Sequence, residues 1–423
     1  ISIQHRHLAL GDVNCHSGIQ AQSGITIDYP VHPQPGIYFM TTPREVFFEP
    51  AEYEQRLRRL QQKLHEQNLD LIVTCAPGNI CYLNGYVSVN VLDTMFVVVP
   101  VEGDPVFYLW QFERGRAEST VVGMETLCWN TGVDPIAFVV NDLKRRGHVK
   151  GRIGIDTGST HTAFDIVQQL LTALDGTPVK GVVEDLRLVK SSAEQDYIRE
   201  AAILTDAGVH AAIQAVSEGV SDHEIGRAAV SALLNANSEF LALEPIVCVG
   251  WRSGAPHSPR GGTCVEPGDP VFIELSGARA RYQSPLMRTV TNNTPNKNIQ
   301  ELADYSNACV EAIVDTIKPG IEASDVAAAG RKALQPIRDK IAFHDLYAYP
   351  VGIGFPPNWI ENPAFYLSAD NTNHLEAGMV FHLPLTLRVL GQYGAGFSET
   401  LIITKTGAET MSSLPRTLDA HAY

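Results

Sequence analysis

One carboxylate and two histidines fall where a strand or a constrained loop would present them to a pocket. The stretch VFIELSGARARYQSPLMRT, Val271 to Thr289, reads as two strands joined by a short turn. Side chains alternate along a strand, so Val271, Ile273 and Leu275 share one face while Phe272, Glu274 and Ser276 share the other. The same alternation in GMVFHLPLTL places Phe381, Leu383, Leu385 and Leu387 on an apolar face and His382 and Thr386 opposite. A sheet with helices on one side and a pocket on the other accounts for both strands. His257 lies in SGAPHSP, a loop rich in Gly and Pro. Eleven residues after Glu274, where a second acid would complete a pair, stands Pro285. The question is whether Glu274 is the remnant of a metal centre, part of a different hydrolytic site, or a plain strand carboxylate paired with Arg279 or Arg281.

The elements that must hold these residues follow from the hydrophobic pattern. Residues 1–39 are rich in Gly, Pro, His and Gln without a sustained period and read as an extended arm. Met40 opens a domain in which Pro50 suits the first turn of a helix and Leu57, Leu60 and Leu64 form its apolar stripe. LDLIVTCA, MFVVVPV, PVFYLW and RIGID read as buried strands, with helices near Pro135 to Arg146 and Thr160 to Ala173. This α/β domain, residues 40–188, ends near Leu188. A second domain, residues 189–423, begins with a long helix in which Ser191 and Glu194 are spaced as a capping box. Within it, AVSEGVSDHEIGRAAV resembles TIKPGIEASDVAAAG: each leaves a helix through Gly and caps the next with Ser-Asp. Such a repeat suggests an internal duplication with a pocket at its pseudo-symmetry axis.

Composition narrows the partners. The 423 residues are 44% hydrophobic and 19% charged, which suits two packed cores. A formal charge of −15 repels phosphate backbones and anionic lipids, so a small molecule is expected rather than nucleic acid or a membrane surface. The seven cysteines show no CxxC spacing, which argues against a zinc cluster or a disulfide framework. No apolar run approaches the roughly 20 residues of a membrane span, and the first 30 residues lack signal-peptide order, so a cytoplasmic protein is expected.

The ordered stretches KSSAEQDYIREA, SGAPHSP, VFIELSGARARYQSPLMRT, YPVGIGFPPNW, AGMVFHL and FSETLIITKTG resemble the creatinase and methionine-aminopeptidase superfamily. The resemblance implies an α+β protein: a pita-bread C-terminal domain behind a smaller creatinase/prolidase-type α/β domain. Metallopeptidases of the superfamily hold two metal ions with two Asp, one His and two Glu. Carried over, those five positions fall on Glu274, Pro285, Tyr349, Pro384 and Ser398, and a later His of the peptidases falls on Pro356. Four of the five carry no carboxylate or imidazole. The resemblance therefore implies no metal and no other cofactor.

Ectoine hydrolases are the more specific match, through Pro256 and His257, the run from Glu274 through Gly277 to Arg281 and Tyr282, the YP-x-G-x-x-PP-x-W stretch, and GM-x-FH. That likeness implies a metal-independent hydrolase opening a C–N bond in a small cyclic amidine or guanidino compound. Glu274 would be nucleophile or amidinium anchor and His257 the proton carrier, with His382 as a further catalytic residue. Glu399, Tyr349, Trp359, Tyr282 and Arg281 would bind substrate. The resemblance also implies a homodimer whose N-terminal loop reaches the partner's site. Asp93 stands in that loop where creatinase has an Arg, which favours a cationic group. Two alternatives remain: a metal-dependent peptidase or lyase of the same fold, and a binding protein without activity.

Overall fold

The computed structural model describes residues 43–361 and 365–423, and these belong to one compact unit. The arm expected over residues 1–39 lies outside the described residues.

Six strands form the first sheet, in the order Glu125–Trp129, Val106–Trp110, Phe96–Pro100, Leu71–Thr74, Ile153–Asp156, Thr177–Val179. Only the two junctions of Phe96–Pro100 are antiparallel; the others are parallel. The strands read as unbroken apolar runs because both faces are covered. Leu71, Val73, Phe96 and Val98 pack with the helices Pro135–Arg146 and Phe164–Leu174. Ile72, Val97, Val99 and Phe107 pack toward the helix Pro50–Glu66, whose Leu57, Leu60 and Leu64 are buried as the stripe requires. The expected helix from Thr160 begins only at Phe164. Asp134 caps Pro135–Arg146 by accepting from the Ile136 and Ala137 amides.

The rest of the chain is two related halves. In one, the helices Ser192–Gln214 and Asp222–Asn235 cover a three-stranded sheet of Ile246–Val249, Val271–Leu275 and Leu286–Val290. In the other, Lys297–Thr316 and Ala323–Leu334 cover a larger sheet led by Val380–Val389 and Tyr393–Ile403. The duplication shows in the backbone. Val265 N donates to Val220 O and Leu375 N to Ile321 O, while Gly219 N donates to Val265 O and Gly320 N to Leu375 O. Capping is less symmetric than the repeat suggested. Ser221 and Glu224 form a reciprocal capping box, but Glu322 occupies the second N-cap without a side-chain bond to the helix, and Ser324 Oγ donates to Glu322 instead.

The stretch from Val271 to Thr289 is also more elaborate than two strands and a turn. Val271–Leu275 and Leu286–Val290 do pair, antiparallel, with Met287 opposite Glu274. Between them the chain makes a miniature hairpin, Ala278–Arg279 with Tyr282–Gln283, that joins the edge of the larger sheet through Tyr282 and Ile353. Ala280 and Arg281 take positive φ at its tip, and Glu239 accepts both their amides. A turn tied down by a distant carboxylate is invisible to local pattern reading.

A buried polar network joins the N-terminal domain to the second. Glu361 accepts from Arg187 Nη2 at 2.6 Å, from Lys190 Nζ at 2.8 Å and from the Ile353 amide at 2.8 Å. Burial alone would raise its pKa, but Arg187 and Lys190 hold it below the ordinary carboxylate value. Arg187 also donates to Asn79 of the first domain. Glu361→Ala leaves two buried cations unpaired, and we expect a loss of about 3–5 kcal/mol in urea unfolding. An unchanged midpoint would show that the network contributes nothing to the junction.

Candidate active site

Alternation along Val271–Leu275 turns Ile273 and Leu275 into the helices and leaves Glu274 on the opposite face, at one wall of a cavity of about 820 Å³. Glu274 is buried and accepts no hydrogen bond among the described residues; neither Arg279 nor Arg281 reaches it. Arg279 pairs with Glu200 instead. Desolvation pushes the Glu274 pKa up to about 7, against a smaller lowering effect of Arg388. A carboxylate in this state is half protonated near neutrality and, when ionised, lacks the donors that would settle its charge.

Tyr349 and Trp359 line the same cavity and are linked: Trp359 Nε1 donates to Tyr349 Oη at 3.0 Å. The tyrosine oxygen already accepts, and its own proton has no acceptor among the described residues. Burial and the nearby Glu274 push the Tyr349 pKa well above the ordinary value, so the phenol stays a hydrogen-bond donor. His257 stands exposed at the rim with φ of 57°. Its loop is pinned by Ser258, whose hydroxyl donates to Ala255 O and whose carbonyl accepts from Cys248 Sγ.

Two cavity residues carry no earlier assignment. Arg388 projects from the strand of His382, on the same face by alternation, so the strand pattern could have found it. His344 also lines the cavity, against Phe343, and its Nδ1 accepts the Leu346 amide at 3.1 Å. Desolvation, then the positive Arg388, holds His344 below the ordinary imidazole range even though its edge reaches solvent.

Five residues expected at the site lie elsewhere. His382 is buried beneath the cavity wall, with its ring against Tyr349. Thr400 Oγ1 donates to Pro285 O at 2.7 Å, so it accepts from His382 Nδ1 at 3.1 Å, and the Nε2 of His382 has no hydrogen-bond partner among the described residues. Burial drives the His382 pKa down to about 3. A histidine held neutral and sealed from the cavity is no proton shuttle. Glu399 faces away from the cavity, into Arg288 at 2.9 Å and Arg416 at 3.4 Å. Arg281 is spent on the Gly354 and Phe240 carbonyls, with its guanidinium 3.6 Å from the Phe240 ring centre. Tyr282 donates to Glu194 at 2.7 Å under the first domain. Asp93 lines a separate hollow of the N-terminal domain with Trp110 and Trp129, and Asn90 donates to it.

The five positions that the resemblance equates with metal ligands do converge, but their chemistry does not fit a dinuclear centre. Glu274, Tyr349 and Pro384 line the cavity, and Pro384 is the register partner of Ser398. Ser398 Oγ is occupied by the Met287 amide at 2.6 Å, and Tyr349 Oη by Trp359. Pro285 and Pro384 offer no side-chain donor. Among the described residues, no group of three His, Cys, Asp or Glu side chains is placed to hold a metal ion.

Comparison with known proteins agrees with this architecture. Residues 56–189 match the creatinase/prolidase N-terminal domain, and residues 196–405 match metallopeptidase family M24. The ectoine hydrolase of Halomonas elongata is 28% identical over 406 residues, covering 88% of this chain and 98% of that one. The Xaa-Pro dipeptidase of Pyrococcus furiosus is 23% identical over 369 residues, covering 86% and 99%. Among solved structures, the Xaa-Pro dipeptidase from Bacillus anthracis superposes with a TM-score of 0.76 at 20% identity, covering 87% and 99%, and a prolidase from Thermococcus sibiricus with 0.77 at 20%, covering 87% and 98%. These likenesses show the fold: a creatinase-type domain followed by a pita-bread domain, as the sequence pattern implies.

The buried state of Glu274 has a measurable consequence for stability. Its folded pKa of about 7 exceeds the ordinary 4.5, so the folded protein binds the extra proton between those values. Stability is full below pH 4.5 and falls as pH rises through 7. Glu274→Gln escapes this loss. Its stability relative to the parent should improve by on the order of 3 kcal/mol between about pH 4.5 and 8.5. A difference that does not change with pH would contradict the desolvation.

Proposed function

We propose that this chain, which belongs to metallopeptidase family M24 and carries a creatinase/prolidase N-terminal domain, is a hydrolase that opens a C–N bond of a small amidine or guanidino compound without a metal ion. The observation that carries the reading is Glu274: a buried carboxylate with no donor among the described residues, facing a cavity large enough for a small molecule. Such a group is matched by a ligand that brings its own N–H pair and positive charge, and an amidinium does both. The name of the ectoine hydrolase relative supports the same substrate class.

The chemistry then follows from the residues at hand. Ionised Glu274 binds the two N–H groups of the amidinium and keeps its carbon electrophilic. His257 at the rim takes a proton from water as the oxygen adds to that carbon, and returns it to the departing nitrogen. Tyr349, a donor without an acceptor, supports the oxygen that becomes the amide carbonyl. Amidinium and water give amide and ammonium. A second reading, in which Glu274 itself attacks the carbon and water then releases it, is favoured by the lack of any hydrogen bond restraining the carboxylate. The homodimer implied by the resemblance would be the setting in which Asp93 meets a partner's cavity.

A screen of cyclic amidines, guanidino acids and compatible solutes by mass spectrometry identifies the substrate. With it, His257→Ala should lose about 10²–10⁴ in kcat with affinity spared, and Glu274→Gln should lose turnover altogether. Activity of the parent should rise as Glu274 ionises around pH 7. An adduct on the intact chain of His257→Ala would assign Glu274 as nucleophile. Turnover by both variants within a few-fold of the parent would place the chemistry elsewhere.

Metal dependence separates this reading from a peptidase of the same fold. Turnover should survive exhaustive chelation. Loss of activity on chelation, restored by a divalent ion, would overturn the metal-free mechanism.

A further inference from the structure

Arg388 is a cation without a settled partner. It lines the cavity, and its guanidinium stands 5.4 Å from the Phe272 ring centre. Of its five N–H groups, one makes a hydrogen bond among the described residues: Nη1 donates to Thr386 O at 3.3 Å. Nε is buried without a partner. Guanidinium groups enclosed in protein are ordinarily forked onto a carboxylate or several carbonyls. Arg281 and Arg288 in this same protein are held in that way, Arg281 by two carbonyls and Arg288 by Glu399 and four carbonyls. Arg388 stands apart from them.

The surrounding charges do not supply the missing anion. Glu274 faces the same cavity, yet no ion pair within 4.0 Å joins it to Arg388. Asp339 is exposed at the mouth and likewise makes no ion pair with it. The other charged or titratable groups on the lining are Arg338, His257, His344 and Tyr349, and Arg338 is already bound to Asp345. One cavity therefore presents an anion without a donor and a cation held by a single carbonyl, among the described residues. Two such groups left apart, rather than closed on each other, are complementary to a ligand of two opposite charges.

We infer that Arg388 is a specificity-determining residue that binds a carboxylate on the substrate, while Glu274 binds its cationic end, so that the pocket selects a zwitterion. The inference rests on the amidine reading for the cationic half only.

The test uses two probes that share one amidine ring: a tetrahydropyrimidine carrying a ring carboxylate, and the same ring without it. Calorimetric affinities are measured at pH 8 in the full chain carrying His257→Ala, so that neither probe is consumed. The ratio of the two affinities isolates the carboxylate, because the reacting centre is common to both. The carboxylated probe should bind about 10- to 100-fold more tightly. Adding Arg388→Met should bring the ratio to about one while leaving the bare ring's affinity in place. Arg388→Lys, which keeps the charge and loses the fork, should give an intermediate ratio and guards against a folding defect in the first variant. A ratio unchanged by Arg388→Met, equal binding of the two probes, or no binding of the carboxylated probe overturns the inference. The two readings fail separately. Equal binding that is abolished by Glu274→Gln leaves the amidine reading standing without Arg388, and carboxylate-dependent binding indifferent to Glu274→Gln leaves Arg388 standing without the amidine reading.

Discussion

Two sheets meet behind the cavity, and side chains rather than a continuous backbone ladder stitch them together. Ser398 Oγ accepts the Met287 amide, Thr400 Oγ1 donates to the Pro285 carbonyl, and Thr289 Oγ1 both donates to Gly396 O and accepts from Gly396 N. Arg288 crosses the same seam to Ser398 O and Glu399. The cavity wall depends on this seam. It fixes Leu286–Val290 against Tyr393–Ile403, and Glu274 is the register partner of Met287 on the adjoining strand. The position equated with a metal ligand at Ser398 serves here to bind one sheet to the other. The carboxylate that remains is left alone in a poorly solvated recess.

That isolation governs the electrostatics. Glu274, Tyr349 and Arg388 each retain unused hydrogen-bonding capacity toward the cavity, while Glu361 and Glu399 outside it are bound by cations. Glu361 has Arg187 and Lys190, and Glu399 has Arg288 and Arg416. Buried polar groups are normally paired, so three incompletely bonded ones facing a single cavity make it the candidate ligand-binding surface. Scaffold charges rigidify the junction of the two domains.

Much of this was legible in the chain. Period and capping residues placed the helices at Pro50, Pro135 and Ser191, and alternation assigned the faces of Glu274 and His382 correctly. Alternation reports a face and not a depth. His382 and Glu274 both turn from the helices, but His382 is sealed by Thr400 and Tyr349 while Glu274 opens to space. The resemblance placed Arg281 and Tyr282 at the pocket, yet the miniature hairpin carries them across to the larger sheet and under the first domain. Arg388 shares a strand face with His382 and was readable by the same rule, but an Arg near a strand end reads as a solvent-facing residue until the cavity is seen. The partners that decide these cases are distant in sequence, and no local pattern contains them.

The central claim is that the fold desolvates a single reactive carboxylate, and it can be read at that one group. Difference infrared spectroscopy of the parent against Glu274→Gln, followed through a pH titration, isolates the carboxylate band of Glu274. The account predicts a midpoint near 7. A midpoint at the ordinary value of 4.5 would mean that Glu274 is an ordinary solvated acid, and the site built around it would not stand.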